Sequence, residues 1–214
     1  MKITRRILVY CLGLLLLAIG VTFSIKSNLG VSPVNSLPYV LSLIVGIEIG
    51  KMSIIVNIFL ILVQVILLRK KFKLRNLTQI LFSFAFGFFL TFSNWVFRFI
   101  TVQNYFMRLG LLSISIGIIA MGVMLYLKAE LVPMPAEGCM IAIRVLLDKE
   151  FYKIKMAVDS SFVLLASILS LIAFHELIGV REGTILAAIF IGKIIGIFEK
   201  RFGKQLKAVE DFIR

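Results

Sequence analysis

Six polar side chains fall where an apolar chain has most reason to exclude them: Asn35, Asn57, Glu137, Asp159, Ser160 and Lys193. Asp159 lies in Lys155-Met-Ala-Val-Asp159-Ser160-Ser161, about a turn inside an apolar run. An ionisable group there is costly, so it faces a cavity or a charged partner and marks a functional site by default. Lys193, in Gly192-Lys-Ile-Ile-Gly196, falls in the same half of the bilayer. A pair between Asp159 and Lys193 would hold both charges while a site is empty and open when a substrate or proton competes. The plainer alternatives are that Asp159 anchors its helix and that Lys193 snorkels to the boundary. Ser160 and Ser161 extend a polar lining or bond back to their own helix.

Four of these positions recur as two pairs. At an offset of 102 residues, Ala18-Ile-Gly-Val21 returns as Ala120-Met-Gly-Val123, Pro33 as Pro135, Asn35 as Glu137, Lys51 as Lys153 and Asn57 as Asp159. Pro33/Pro38 and Pro133/Pro135 hold all four prolines, each pair following a long apolar run. Duplicated halves with an interrupted apolar segment at matching points are the sequence pointer to a transporter site near the bilayer midplane. Asn35 and Glu137 would each fall in the first turn of a short helix begun by proline, where the positive end of the dipole suits an acid. Glu137 there either stabilises the helix or contacts a cationic or proton-coupled ligand. Gly30, Pro33, Pro133 and Pro135 are the expected helix breaks.

The elements that must position these groups are membrane helices. The chain is 60% hydrophobic with mean hydropathy +1.05, above the roughly 45–50% of soluble domains. Six runs approach the ~20 residues needed to cross, near 7–25, 52–68, 77–97, 109–127, 157–176 and 184–199. Residues 33–46 and 135–148 are too short to cross and read as re-entrant or interfacial half-helices. The expected fold is an all-α membrane protein of six spans in two inverted three-helix repeats, 1–101 and 102–214, forming one membrane domain. Gly13, Gly20, Gly87, Gly117, Gly122, Gly192 and Gly196 are expected to let helices approach closely.

The net charge of +13 is membrane topology, not a nucleic-acid face. With both termini cytoplasmic, eighteen basic residues fall inside, among them Arg69–Arg75 and Lys200–Arg214, against five outside. The positive-inside rule accepts this and rejects the reverse. Cys11 and Cys139 lack metal or disulfide spacing, His175-Glu176 lacks the second histidine of a zinc motif, and no nucleophile–base set is present. The reading is therefore no enzyme, no cofactor and no metal. The partners expected are the lipid bilayer and a small solute, and a homodimer would suit a chain of this size.

Leu29-Gly-Val-Ser-Pro33-Val34-Asn35 resembles the LG-x-x-P-W-D segment of the YitT/YczE-like bacterial membrane proteins. Gly183-Thr184 followed by Gly192 is similar to that family's G-T run near the last helix. Where the family has tryptophan and aspartate, this chain has Val34 and Asn35. The resemblance implies a multi-pass protein of the bacterial cytoplasmic membrane, often supposed to be a transporter, and names no substrate. Two functions follow: a small secondary transporter or permease, or a non-transporting membrane partner or regulator of another complex. In a background without Cys11 and Cys139, Lys70→Cys and Glu150→Cys are expected to react with a membrane-impermeant thiol reagent from the same face. Reaction from opposite faces would break the topology.

Overall fold

The computed structural model describes residues 2–201. The expected cytoplasmic residues Lys204, Lys207 and Arg214, and the end of the second half, lie outside the described residues. Among the described residues the chain is helix and connecting turn throughout, with eight α-helices. They are α1 (Lys2–Ser27), α2 (Pro33–Val45), α3 (Ile49–Leu68), α4 (Thr78–Val96), α5 (Tyr105–Lys128), α6 (Pro135–Leu147), α7 (Phe151–Phe174) and α8 (Glu182–Arg201).

Five of these are long and apolar enough to cross a membrane: Ile3–Ser27, Ile49–Lys71, Leu74–Val96, Tyr105–Lys128 and Phe151–Phe174. The sixth expected span is α8. It is 20 residues long, but every 18-residue stretch of it holds at least three of Glu182, Lys193, Glu199, Lys200 and Arg201. On length and composition five of the described helices therefore qualify as candidate spans, and α8 does not. The start of α7 is also earlier than expected, at Phe151. Lys153 pairs with Glu150 at 2.9 Å and Lys155 with Asp159 at 2.7 Å, and such spacings support a helix through a polar turn. Lys155 is thus a helix residue and not part of a loop.

The two short helices match closely. Each has 13 residues and starts on its proline. Each ends at a left-handed residue, Gly46 (φ 72°) and Asp148 (φ 48°), whose N–H closes on Ser42 O and Arg144 O. The next helices begin at Ile49 and Phe151, so the 102-residue offset recurs in helix boundaries. The early turns of α2 and α6 are largely buried among other helices, and the last turn of each is exposed.

Packing begins with α1 against α5. A Cβ on Gly13 would sit 2.6 Å from Tyr126 N, one on Gly20 2.9 Å from Ile119 N, and one on Gly122 2.6 Å from Leu17 N. Contacts that run up one helix as they run down the other make this pair antiparallel, with the two backbones touching. Tyr10, Leu14, Ala18 and Val21 of α1 are fully buried beside it, and Phe82 and Phe86 of α4 complete this cluster. Each short helix packs across the repeat boundary, α2 on α7 and α6 on α3. The pattern fails in one place. α3 and α4 pack closely through Gly50 and Gly87, whereas α7 and α8 make no comparable contact among the described residues. The residues at the matching positions are Tyr152 and Ile189, both exposed.

Not every expected glycine contact exists. Added Cβ atoms on Gly117 of α5 and on Gly192 and Gly196 of α8 would meet nothing within 4 Å. Gly122→Leu is expected to cost about 1–3 kcal/mol by overpacking and to lower the thermal midpoint in detergent. Gly117→Leu, the control, should leave the midpoint unchanged.

Candidate functional site

A cavity of about 300 Å³ lies at the centre of the molecule, among α1 to α8. That volume is at the lower end of the range for small-molecule sites. Its wall is mostly hydrocarbon from Leu17, Val56, Phe86, Ile119 and Val123. Most of its polar groups come from the two short helices and the helices that follow them, Ser32 and Asn35, Ser53 and Asn57, Glu137, and Lys155 with Asp159, and α5 adds Tyr126. The lining extends to Phe151 at the start of α7 and to Ile195 in α8.

Four of the expected site residues therefore meet here, as two repeat pairs: Asn35 with Glu137, and Asn57 with Asp159. Pro33 lines the cavity too. Pro33 and Pro135 both occupy the first helical position, where a missing N–H leaves no bond unmade. Asn35 is held by its own turn, its Nδ2 donating to Ser32 Oγ at 2.8 Å. Tyr126 donates its hydroxyl to Glu137 Oε1 at 2.8 Å. Glu137 Oε2 and Asp159 Oδ1 are buried with no partner, as is the Ser53 hydroxyl.

The other expected residues are placed differently. Lys193 does not pair with Asp159, whose partner is Lys155. The cavity face of α8 carries Ala188, Ile191, Gly192 and Ile195, and helical register turns Lys193 away from it. Lys193 is exposed, its Nζ 5.6 Å from the centre of the Phe190 ring. Ser160 is also exposed and is not part of the wall, since it lies 100° around the helix from Asp159. Pro133 is part-buried in the loop before α6. His175 caps α7 in the left-handed conformation and is exposed.

The breaks themselves are secured by groups that sequence reasoning missed. Gln64 of α3 is buried and donates Nε2 to Pro135 O at 3.1 Å and to Gln79 Oε1 at 3.0 Å. Gln79 returns a bond to Gln64 Oε1 at 3.3 Å. Gly138 leaves room for this amide, since a Cβ there would lie 2.7 Å from Gln64 Oε1. A signal was available: Ser53, Asn57 and Gln64 form a polar stripe along an otherwise apolar helix.

The loops entering the short helices use matching devices. Asn28 and Glu130, 102 residues apart, are both left-handed (φ 53° and 51°). Arg181 donates to Asn28 O at 3.3 Å, and Arg75 donates to Glu130 O at 3.2 Å and to Leu131 O. Gly30 has φ 102°, and a Cβ on it would come 2.6 Å from Thr184 Oγ1. Gly183 N–H bonds Leu29 O at 2.7 Å and Val31 N–H bonds Gly179 O at 3.0 Å. The Leu29-Gly30 and Gly183-Thr184 motifs are thus one contact, seen from its two sides.

The profile of a family of unknown function, DUF6198, matches residues 4–200, from α1 into the last turn of α8. The chain belongs to the DUF6198 family. It is similar to the Uncharacterized protein YyaS of Bacillus subtilis (strain 168), with 27% identity over 192 residues that cover 88% of this chain and 90% of that protein. No solved structure matches it. Neither match bears the YitT/YczE name, so DUF6198 is the membership shown. The match spans both short helices and the cavity between them.

Replacing Gln64 with leucine removes its bond to the Pro135 carbonyl and strands the buried Gln79 amide, and should cost about 1–3 kcal/mol of stability. Gln64→Leu/Gln79→Leu should cost clearly less than the two single changes summed. Additive losses in thermal unfolding would mean that the amides do not act as a pair.

Proposed function

We propose that this DUF6198 chain is a small secondary transporter or permease of the bacterial cytoplasmic membrane, kin to the YitT/YczE-like proteins. In this reading residues 1–101 and 102–214 are inverted three-span halves that rock around the central cavity. The observation that carries it is the meeting, in one cavity, of Asn35 with Glu137 and Asn57 with Asp159, partners at the 102-residue offset. Chance placement of polar residues on eight helices has no reason to gather partners. The antiparallel α1–α5 contact and the exchange of α2 and α6 across the boundary also support it. α8 serves as the sixth span, since 20 helical residues reach ~30 Å and Lys193 can snorkel.

The unequal halves point to one state of an alternating cycle. α3 is closed on α4 while α7 stands apart from α8, and the cavity reaches Phe151 and Ile195 on the side the charge pattern makes cytoplasmic. This is an inward-open arrangement. The opposite state would close α7 on α8 and part α3 from α4. The membrane-partner reading requires no such movement.

Alternating access can be tested before any substrate is known. In a background without Cys11 and Cys139, Asn57→Cys should react with an impermeant thiol reagent from the cytoplasmic face. Cross-linking Tyr152→Cys to Ile189→Cys should form slowly and then move that reactivity to the outer face. A cross-link that never forms, with reactivity confined to one face, would favour the non-transporting partner.

A further inference from the structure

We infer that the cavity is a site for a monovalent organic cation, an ammonium whose head lies between the free oxygens of Glu137 and Asp159 while its apolar body rests on Phe86, Ile119 and Val123. This deepens the proposed function and rests on its central cavity.

Charge is the first argument. The charged side chains lining the cavity are Glu137, Asp159 and Lys155, with Lys155 bonded to Asp159 at 2.7 Å. With every group ionised, one negative charge is left over. A single positive charge balances it, and an anion would double the imbalance.

Hydrogen bonding is the second. The atoms left without partners are acceptors on carboxylates, Glu137 Oε2 and Asp159 Oδ1. Their sister oxygens are already engaged by the Tyr126 hydroxyl and the Lys155 ammonium. What each lacks is a donor, and an ammonium brings three. The Ser53 hydroxyl, also unpartnered in the wall, can accept the third. The start of α2 offers an anion little in return: Pro33 has no N–H, and the Asn35 N–H is spent on Ser32 O at 2.9 Å. Lys155 is no free anion site either, because Asp159 holds it.

Shape is the third. A bare metal ion wants a shell of oxygen ligands, and among the described residues no three His, Cys, Asp or Glu side chains gather to hold one. The rest of the wall is mostly hydrocarbon, with the Phe86 ring among it, which suits a body of metabolite size behind a charged head.

The purified full-length protein in detergent should be unfolded thermally with four probes that share a phenyl body: 2-phenylethylammonium, neutral 2-phenylethanol, anionic 3-phenylpropionate and zwitterionic phenylalanine. Sodium and potassium chloride serve as inorganic arms. The expected result is a dose-dependent rise in the midpoint with the ammonium alone. Glu137→Gln keeps the Tyr126 bond and should weaken apparent affinity at least tenfold, as should Asp159→Asn. Lys155→Gln should strengthen it several-fold, because it removes the competing cation. A gain is something that a merely damaged fold does not produce.

Equal binding of the neutral, anionic or zwitterionic probe would overturn the inference, as would sodium or potassium acting in place of the amine. So would an absent response to the ammonium, or weaker binding by Lys155→Gln. If the ammonium binds with this pattern while Asn57→Cys never changes its reactive face, transport fails and the site stands. If the face alternates but the ammonium does not bind, only the site is lost.

Discussion

A helix that stops inside an apolar molecule leaves backbone donors and acceptors that hydrocarbon cannot satisfy. This constraint governs the structure, because α2 and α6 both begin in the interior. Proline at the first position of each removes one donor at its source. The carbonyls of the loops leading into α2 and α6 are met by protein from elsewhere in the chain, Arg75 on Glu130 and Leu131, Arg181 on Asn28 and Gly183 on Leu29, while Gln64 bonds Pro135 O in the first turn of α6. Each break is thus held by residues distant in sequence, with the loop before α2 tied to the start of α8 and the start of α6 tied to α3.

The same exchange builds the cavity. Because α2 lies on α7 and α6 on α3, the first turn of one half meets the polar residues of the other. Glycines on α1 and α5 let those backbones touch and fix the distance between the halves. The cavity is what the short helices leave open at their proline ends. Its charges are held economically: a tyrosine on one carboxylate and a lysine one turn earlier on the other. A buried carboxylate with a single partner is costly to hold in its charged form.

The break in symmetry is informative for the same reason. Small residues at Gly50 and Gly87 allow α3 and α4 to close, while Tyr152 and Ile189 stand at the matching places on α7 and α8. Bulky side chains there favour a gap in the arrangement seen, and the cavity opens beside it.

Much was legible in the residues alone. Apolar run lengths set the long helices, and the prolines with the 102-residue repeat located both short helices to the residue at which they begin. Asn35, Asn57, Glu137 and Asp159 could be named because polar groups in apolar helices are rare and these recur in register. The partner of Asp159 could not be named. Lys155 falls before the apolar run expected at 157–176, and composition does not reveal that two i-to-i+3 or i-to-i+4 ion pairs extend α7 backwards through a polar turn. Lys193 and Ser160 were misplaced because depth along a helix was known and rotation about it was not. Gln64 and Gln79 form a pair only when α3 and α4 lie side by side. Local sequence determines where a chain is helical and how deep a residue lies, since both follow from periodicity and apolar length. Which side chain faces which neighbour depends on the rotation and crossing of packed helices, and only the assembled tertiary structure decides that.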